Sequence, residues 1–132
     1  MRHIIFITST VLLMSVFSVS FADHHKSILL CAITEVVDCD SLGKCERQTT
    51  GQANLPNFIT IDLKNNKIVG ANVDHNEDIT HVEKTEQSFI LQGVGEQGRG
   101  WTVSLSNNHS VMSGAVVGDK YTFSIFGACR SK

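Results

Sequence analysis

The residues best equipped for chemistry lie near the start of the sequence, at Asp23-His24-His25. If Asp23 is a free N-terminus, its amine, two backbone amides and the imidazole of His25 form a square-planar nitrogen set. That geometry suits Cu(II) or Ni(II), and His24 adds a second imidazole. The simpler reading is a solvated tail. A second cluster, Asp74-His75-Asn76-Glu77-Asp78 with His81, offers carboxylates and imidazoles within eight residues. It lacks the glycine at the sixth position and the closing Glu of an EF-hand loop, and reads more simply as a polar loop. His75, His81 and His109 could act as a base towards a serine, but no G-x-S-x-G element is present. His109 falls within a predicted hairpin turn, where solvated residues are expected. No catalytic residue is assigned. Gly93, Gly95 and Gly98 spell G-x-G-x-x-G, yet the residues that follow read as a strand, whereas phosphate binding needs a helix there. This segment reads as a hairpin tip.

The four cysteines are Cys31, Cys39, Cys45 and Cys129. Their spacing has no C-x2-C knuckle, which argues against zinc. An even number in a small domain reads as two disulfides with three possible connectivities. Cys39 and Cys45 flank a turn-rich loop short enough to bridge. Cys31 and Cys129 would meet if the first and last strands pair antiparallel. The expected bridges are therefore Cys39–Cys45 and Cys31–Cys129, in an oxidising compartment.

Residues 1–22 fit that compartment. Met1-Arg2-His3 is a short basic start, residues 4–17 are mostly apolar, and Ser20-Phe21-Ala22 supplies small residues for cleavage after Ala22. This is the pattern of a secretory signal peptide rather than a membrane span. Lipidation at Cys31 is disfavoured by the bulky Leu30 before it. The expected mature chain, residues 23–132, is a single 110-residue domain. It is long enough to bury a core.

The elements that must position these residues are strands. Apolar and polar residues alternate with period two, and no long stretch keeps a 3.6 period. Expected strands cover 29–39, 58–63, 67–73, 79–84, 88–94, 99–105, 110–117 and 121–129, with a polar loop over 40–57 and another over 74–78. In the first strand Leu29, Cys31, Ile33 and Val37 share a face that Glu35 interrupts. Asn65-Asn66 and Asn107-Asn108 mark turns, and Gly118-Asp119 suits a type II′ hairpin. About eight antiparallel strands with short connections form an up-and-down meander. It can close into a small all-β barrel with strands one and eight adjacent; a β-sandwich is the alternative. Phe89, Trp101, Tyr121 and Phe123 should point inward, as packed core or as the walls of a ligand site. Phe58 and Phe126 fall on the opposite parity and would mark a contact patch if exposed together.

Cys31, Cys39, Gly43-x-Cys45, Pro56-x-Phe58, Ile61-Asp62, Leu91-Gln92-Gly93, Gly100-Trp101 and Phe126-Gly127-Ala128-Cys129 occur in that order. The string resembles a family of small exported proteobacterial proteins of unassigned function, over nearly the whole mature chain. The resemblance implies a bacterial, periplasmic or secreted protein and transfers no activity.

Composition narrows the function. Eleven basic against thirteen acidic residues give a net charge of −2, a poor match to nucleic acid. Apolar residues at 42% and charged residues at 18% fit a folded domain. The sequence points to an exported, non-catalytic β-barrel binding module, taking a small apolar ligand or an exported protein partner, with no membrane span after cleavage. The alternatives are a periplasmic Cu(II)/Ni(II) binder acting through Asp23, His24 and His25, and an inhibitor of a periplasmic hydrolase. The oligomeric state is not encoded legibly.

Overall fold

Alternating apolar residues that must all face one core dictate a sheet that curls on itself. The computed structural model, which describes residues 27–71, 75–95 and 98–132, shows such a sheet. Its ten antiparallel strands are β1 (Ile28–Asp40), β2 (Cys45–Gln48), β3 (Phe58–Asp62), β4 (Lys67–Gly70), β5 (Asn76–Asp78), β6 (His81–Lys84), β7 (Ser88–Val94), β8 (Gly100–Ser106), β9 (Val111–Val117) and β10 (Tyr121–Ser131). The order across the sheet is β5-β4-β3-β1-β10-β9-β8-β7-β6, with β2 on the free half of β1. Among the described residues there is no α-helix, and no helix is long and apolar enough to cross a membrane.

The result is a curled half-barrel whose two outermost strands are consecutive in the chain. Only Ile79 and Thr80 separate β5, paired with β4, from β6, paired with β7. The Ile79 amide donates to Asn66 O and the Thr80 amide to Gln92 O, so this one bent segment bonds to both ends of the sheet. The first and last strands lie side by side, β1 pairing with β10 along nearly its whole length. The eight expected strands are all present. β2 and β5 are additional, and each lies inside a segment expected to be a polar loop. Both are three or four residues long and mostly charged or polar, so neither shows a two-residue hydrophobic period.

β1 departs from simple alternation. Its register to β10 runs from Ile33↔Gly127 directly to Glu35↔Phe126, leaving Thr34 as an extra, bulged residue whose hydroxyl donates to Phe126 O. A bulge shifts the parity of everything beyond it. Leu29, Cys31 and Ile33 face the core before it; after it the buried residue is Val36, not Val37 as alternation predicts. Glu35 is turned outward, where Arg47 of β2 meets its carboxylate. The same shift puts the buried Cys31 and the half-buried Cys39 on opposite faces of one strand.

Both expected disulfides are present, Cys31–Cys129 and Cys39–Cys45, each joining residues directly opposed in a ladder. The first closes 98 residues of chain, the second six. In the chain-entropy picture they are worth about 4–5 and about 2 kcal/mol.

The core gathers Leu29, Cys31, Val36, Ile61, Leu91, Leu105 and Met112, all essentially without solvent contact. The turns show why particular residues stand there. The β3–β4 turn is fixed by Asp62, whose carboxylate accepts from the Asn65 side chain at 2.7 Å and from the Asn65 and Lys64 amides at 3.0 Å. These bonds, that from the Asn65 side chain foremost, hold the Asp62 carboxyl below its ordinary pKa. Asn66 takes the left-handed conformation, φ 53°, as expected of Asn.

Two turn expectations fail. The β8–β9 turn is centred on Asn107-Asn108 as expected, closed by the His109 amide donating to Ser106 O, but His109 is left-handed, φ 55°, and its ring is buried against the edge of Phe89 rather than solvated. Gly118 is not in the left-handed region. It ends the β9–β10 ladder by donating to Tyr121 O, which places Asp119-Lys120 at the tip in place of a type II′ turn centred on Gly118-Asp119.

Candidate functional site

At one mouth of the curled sheet the inward rows do not meet. They leave an apolar pocket of about 100 Å³. Ile59, Ile68, Trp101, Val103, Val116 and Ile125 supply its walls from β3, β4, β8, β9 and β10. The loop over residues 49–57 leans over one side and contributes Leu55 and Pro56. That loop is built rather than slack. The Ala53 amide donates to Thr49 O, the Leu55 amide to Thr50 O and the Ile33 amide to Asn57 O, with Ala53 and Pro56 buried.

Three side chains bring charge or hydrogen-bonding capacity to the mouth: His75, Glu77 and Arg99. His75 Nε2 lies 3.3 Å from Asn54 O, which ties its ring to the covering loop. Glu77 sits opposite the buried Ile68 on β4, so its carboxylate turns inward with the core-facing residues. A methyl group at Gly95 would lie about 3 Å from both its oxygens. Arg99 shares the inward parity of Trp101, Val103 and Leu105, and its Nη1 donates to Tyr121 Oη at 3.3 Å. Glu77 and Arg99 form no ion pair with each other among the described residues. The Trp101 indole Nε1–H is buried and has no acceptor there.

The four aromatics expected to point inward all pack against the core, but they are not one site. Only Trp101 lines the apolar pocket. Tyr121 borders a separate cleft with Arg99, Val117 and Asp119. Phe89 lies by His109 beyond the opposite end of β8, and Phe123 is buried. Trp101 is brought down on Gly93, directly opposite it in the β7–β8 ladder. A side chain at position 93 would meet the indole at 2.3 Å, so glycine is required for this approach. That accounts for the first glycine of the G-x-G-x-x-G string. Gly98, φ +72°, accounts for the last as a turn residue, and β8 follows where phosphate binding would need a helix.

The acidic-histidine cluster is dispersed. Asp74 lies outside the described residues. Glu77 turns inward, Asp78 pairs with Lys67 at 2.5 Å, and His81 faces Glu83 at 3.6 Å. Among the described residues no group of His, Cys, Asp and Glu is placed to hold a metal ion. Asp23, His24, His25 and residues 1–22 also lie outside the described residues. Phe58 and Phe126 are each 48% exposed on the outer face. A row across the sheet runs from Phe58 through Ala32 and Ala128 to the exposed Val111, and Phe126 lies two residues from Ala128 along β10.

Of the pocket residues, sequence does not single out Leu55 and Pro56, and it places Arg99 only at a hairpin tip. Ala53, Leu55 and Pro56 form a small apolar group in an otherwise polar stretch, which is the one available sign that the loop packs on something. Sequence groups Glu77 with the candidate metal ligands of a polar loop, whereas it lies on β5 at the pocket mouth. Comparisons of this chain with protein-family models, with curated proteins and with solved structures return no match.

Proposed function

We propose that this protein is an exported, non-catalytic binding module that takes a small apolar group into the mouth of its β-barrel. The apolar pocket beside Trp101 carries this reading, since a domain of this size ordinarily closes such a gap with side chains. At about 100 Å³ it is far smaller than the roughly 300–1,000 Å³ of sites for drug-sized molecules. It is nearer the ~150 Å³ cavity that accepts benzene. Export is supported by the two disulfides, which belong to an oxidising, extracellular-type compartment, and by the signal-like residues 1–22. The resemblance implies a periplasmic or secreted location. The chain has a single tryptophan, so its fluorescence and its one indole N–H resonance report on this pocket alone. Benzene or xenon should shift both, and Val116→Trp, which fills the pocket, should abolish the shift of the Trp101 N–H. If the Trp101 signals do not respond to either probe, the reading fails.

One observation favours the second reading, recognition of a protein such as a periplasmic hydrolase. Leu42 is 91% exposed at the tip of the β1–β2 turn. The turn is clamped by Cys39–Cys45 and by Asp40 Oδ1, which accepts from the Leu42 and Lys44 amides at 2.9 Å. A rigid apolar tip binds with little ordering cost. Inhibition of periplasmic hydrolase activity that is lost in Leu42→Asp would establish this role.

A further inference from the structure

The charges at the pocket mouth define its ligand more narrowly than its apolar walls. Glu77 and Arg99 line the same pocket, carry opposite charge and are not paired with each other. Among the described residues Arg99 has only a neutral phenol as partner. Glu77 has no hydrogen bond or ion pair among the described residues. Half-buried groups left in this state favour a ligand that completes them, because an unmatched charge or donor near an apolar wall is costly. An anion alone would satisfy Arg99 but face the Glu77 carboxylate. A cation alone would satisfy Glu77 but face Arg99. A molecule carrying both charges close together, with a small apolar body, satisfies both groups at no net charge.

Resting on the apolar-pocket reading above, we infer that the mouth binds a free aliphatic α-amino acid of about the size of leucine or valine. Its carboxylate would meet Arg99, its ammonium Glu77, and its branched side chain the wall of Ile59, Ile68, Val103 and Ile125. The pocket volume excludes long acyl chains. The inward Glu77 disfavours simple carboxylic acids.

The test uses the disulfide-bonded protein and follows the Trp101 indole N–H by NMR. The probes are L-leucine, 4-methylpentanoate (leucine without its amine), 3-methylbutylamine (leucine without its carboxylate) and benzene. Leucine is expected to bind at least about tenfold more tightly than either half-molecule. Glu77→Gln should weaken leucine by about tenfold without weakening 4-methylpentanoate. Arg99→Gln should weaken both leucine and 4-methylpentanoate while leaving benzene unchanged, which also shows that the variant is folded. If benzene enters the pocket but leucine binds no better than its two halves, the amino-acid assignment is overturned and the apolar pocket stands. If no probe moves the Trp101 signal, both fall together.

Discussion

Gly93 lies directly beneath the Trp101 indole, so close that a Cβ at position 93 would sit 2.3 Å from Cζ2 and 2.5 Å from Asp78 O. One obstacle is a packed ring and the other is backbone, so neither can yield cheaply. Gly93→Ala is therefore expected to lose about 1–3 kcal/mol in denaturant unfolding and to shift Trp101 fluorescence. Gly100→Ala, where a Cβ has nothing within 4 Å, should change stability by less than about 0.5 kcal/mol.

The two disulfides should differ in worth. Replacing Cys31 and Cys129 together by Ala is expected to cost about 4–5 kcal/mol, against about 2 kcal/mol for Cys39 and Cys45. Thermal unfolding of the two double variants checks the order. Equal losses would mean that the denatured chain does not gain the freedom that loop length implies.

The bulge at Thr34 makes neighbouring valines unequal. Val36→Asp places an unpaired charge among core residues and should abolish folding or cost at least about 3 kcal/mol. Val37→Asp, on the outward parity, should cost less than about 1 kcal/mol. Circular dichroism melts of both variants check the parity, and the reverse ranking would remove the bulge.

The N-terminal metal reading stands on sequence alone. If cleavage exposes Asp23, the protein should take up one Cu(II) with the visible absorption of a square-planar nitrogen site, and His25→Ala should abolish it. A protein retaining residues 1–22 should lack the site, because its donor amine is then a peptide nitrogen. Electron paramagnetic resonance of the processed and unprocessed forms separates the two.

Much of the fold was legible because strands with one buried face repeat every two residues and stop at recognisable turns. β7, from Ser88 to Val94, is a plain case. Both disulfides followed once the first and last strands were taken as neighbours. The Thr34 bulge was not legible, since one extra residue shows only against the register of β10. His109 looked like a solvated turn residue, yet its left-handed backbone accompanies a ring held against Phe89. The pocket mouth was the least legible part. Leu55, the neighbours His75 and Glu77, and Arg99 come from three segments far apart in sequence, and only the curl of the sheet brings them together.

The seam between β1 and β10 has a consequence for the order of events in synthesis. At 5–20 residues per second, Cys31 emerges roughly 5–20 s before its partner 98 positions later. During that wait the nearest thiols are Cys39 and Cys45, either of which could capture it. Thiol exchange depends on access, and a two-strand hairpin forms in microseconds. The hairpin of β1 and β2 brings Cys39 and Cys45 face to face before β10 exists. Once joined, they withdraw from the competition and leave Cys129 as the one thiol Cys31 has still to meet. The short bridge adds less to the finished fold than the long one, and it also takes the two thiols nearest to Cys31 in sequence out of competition for it.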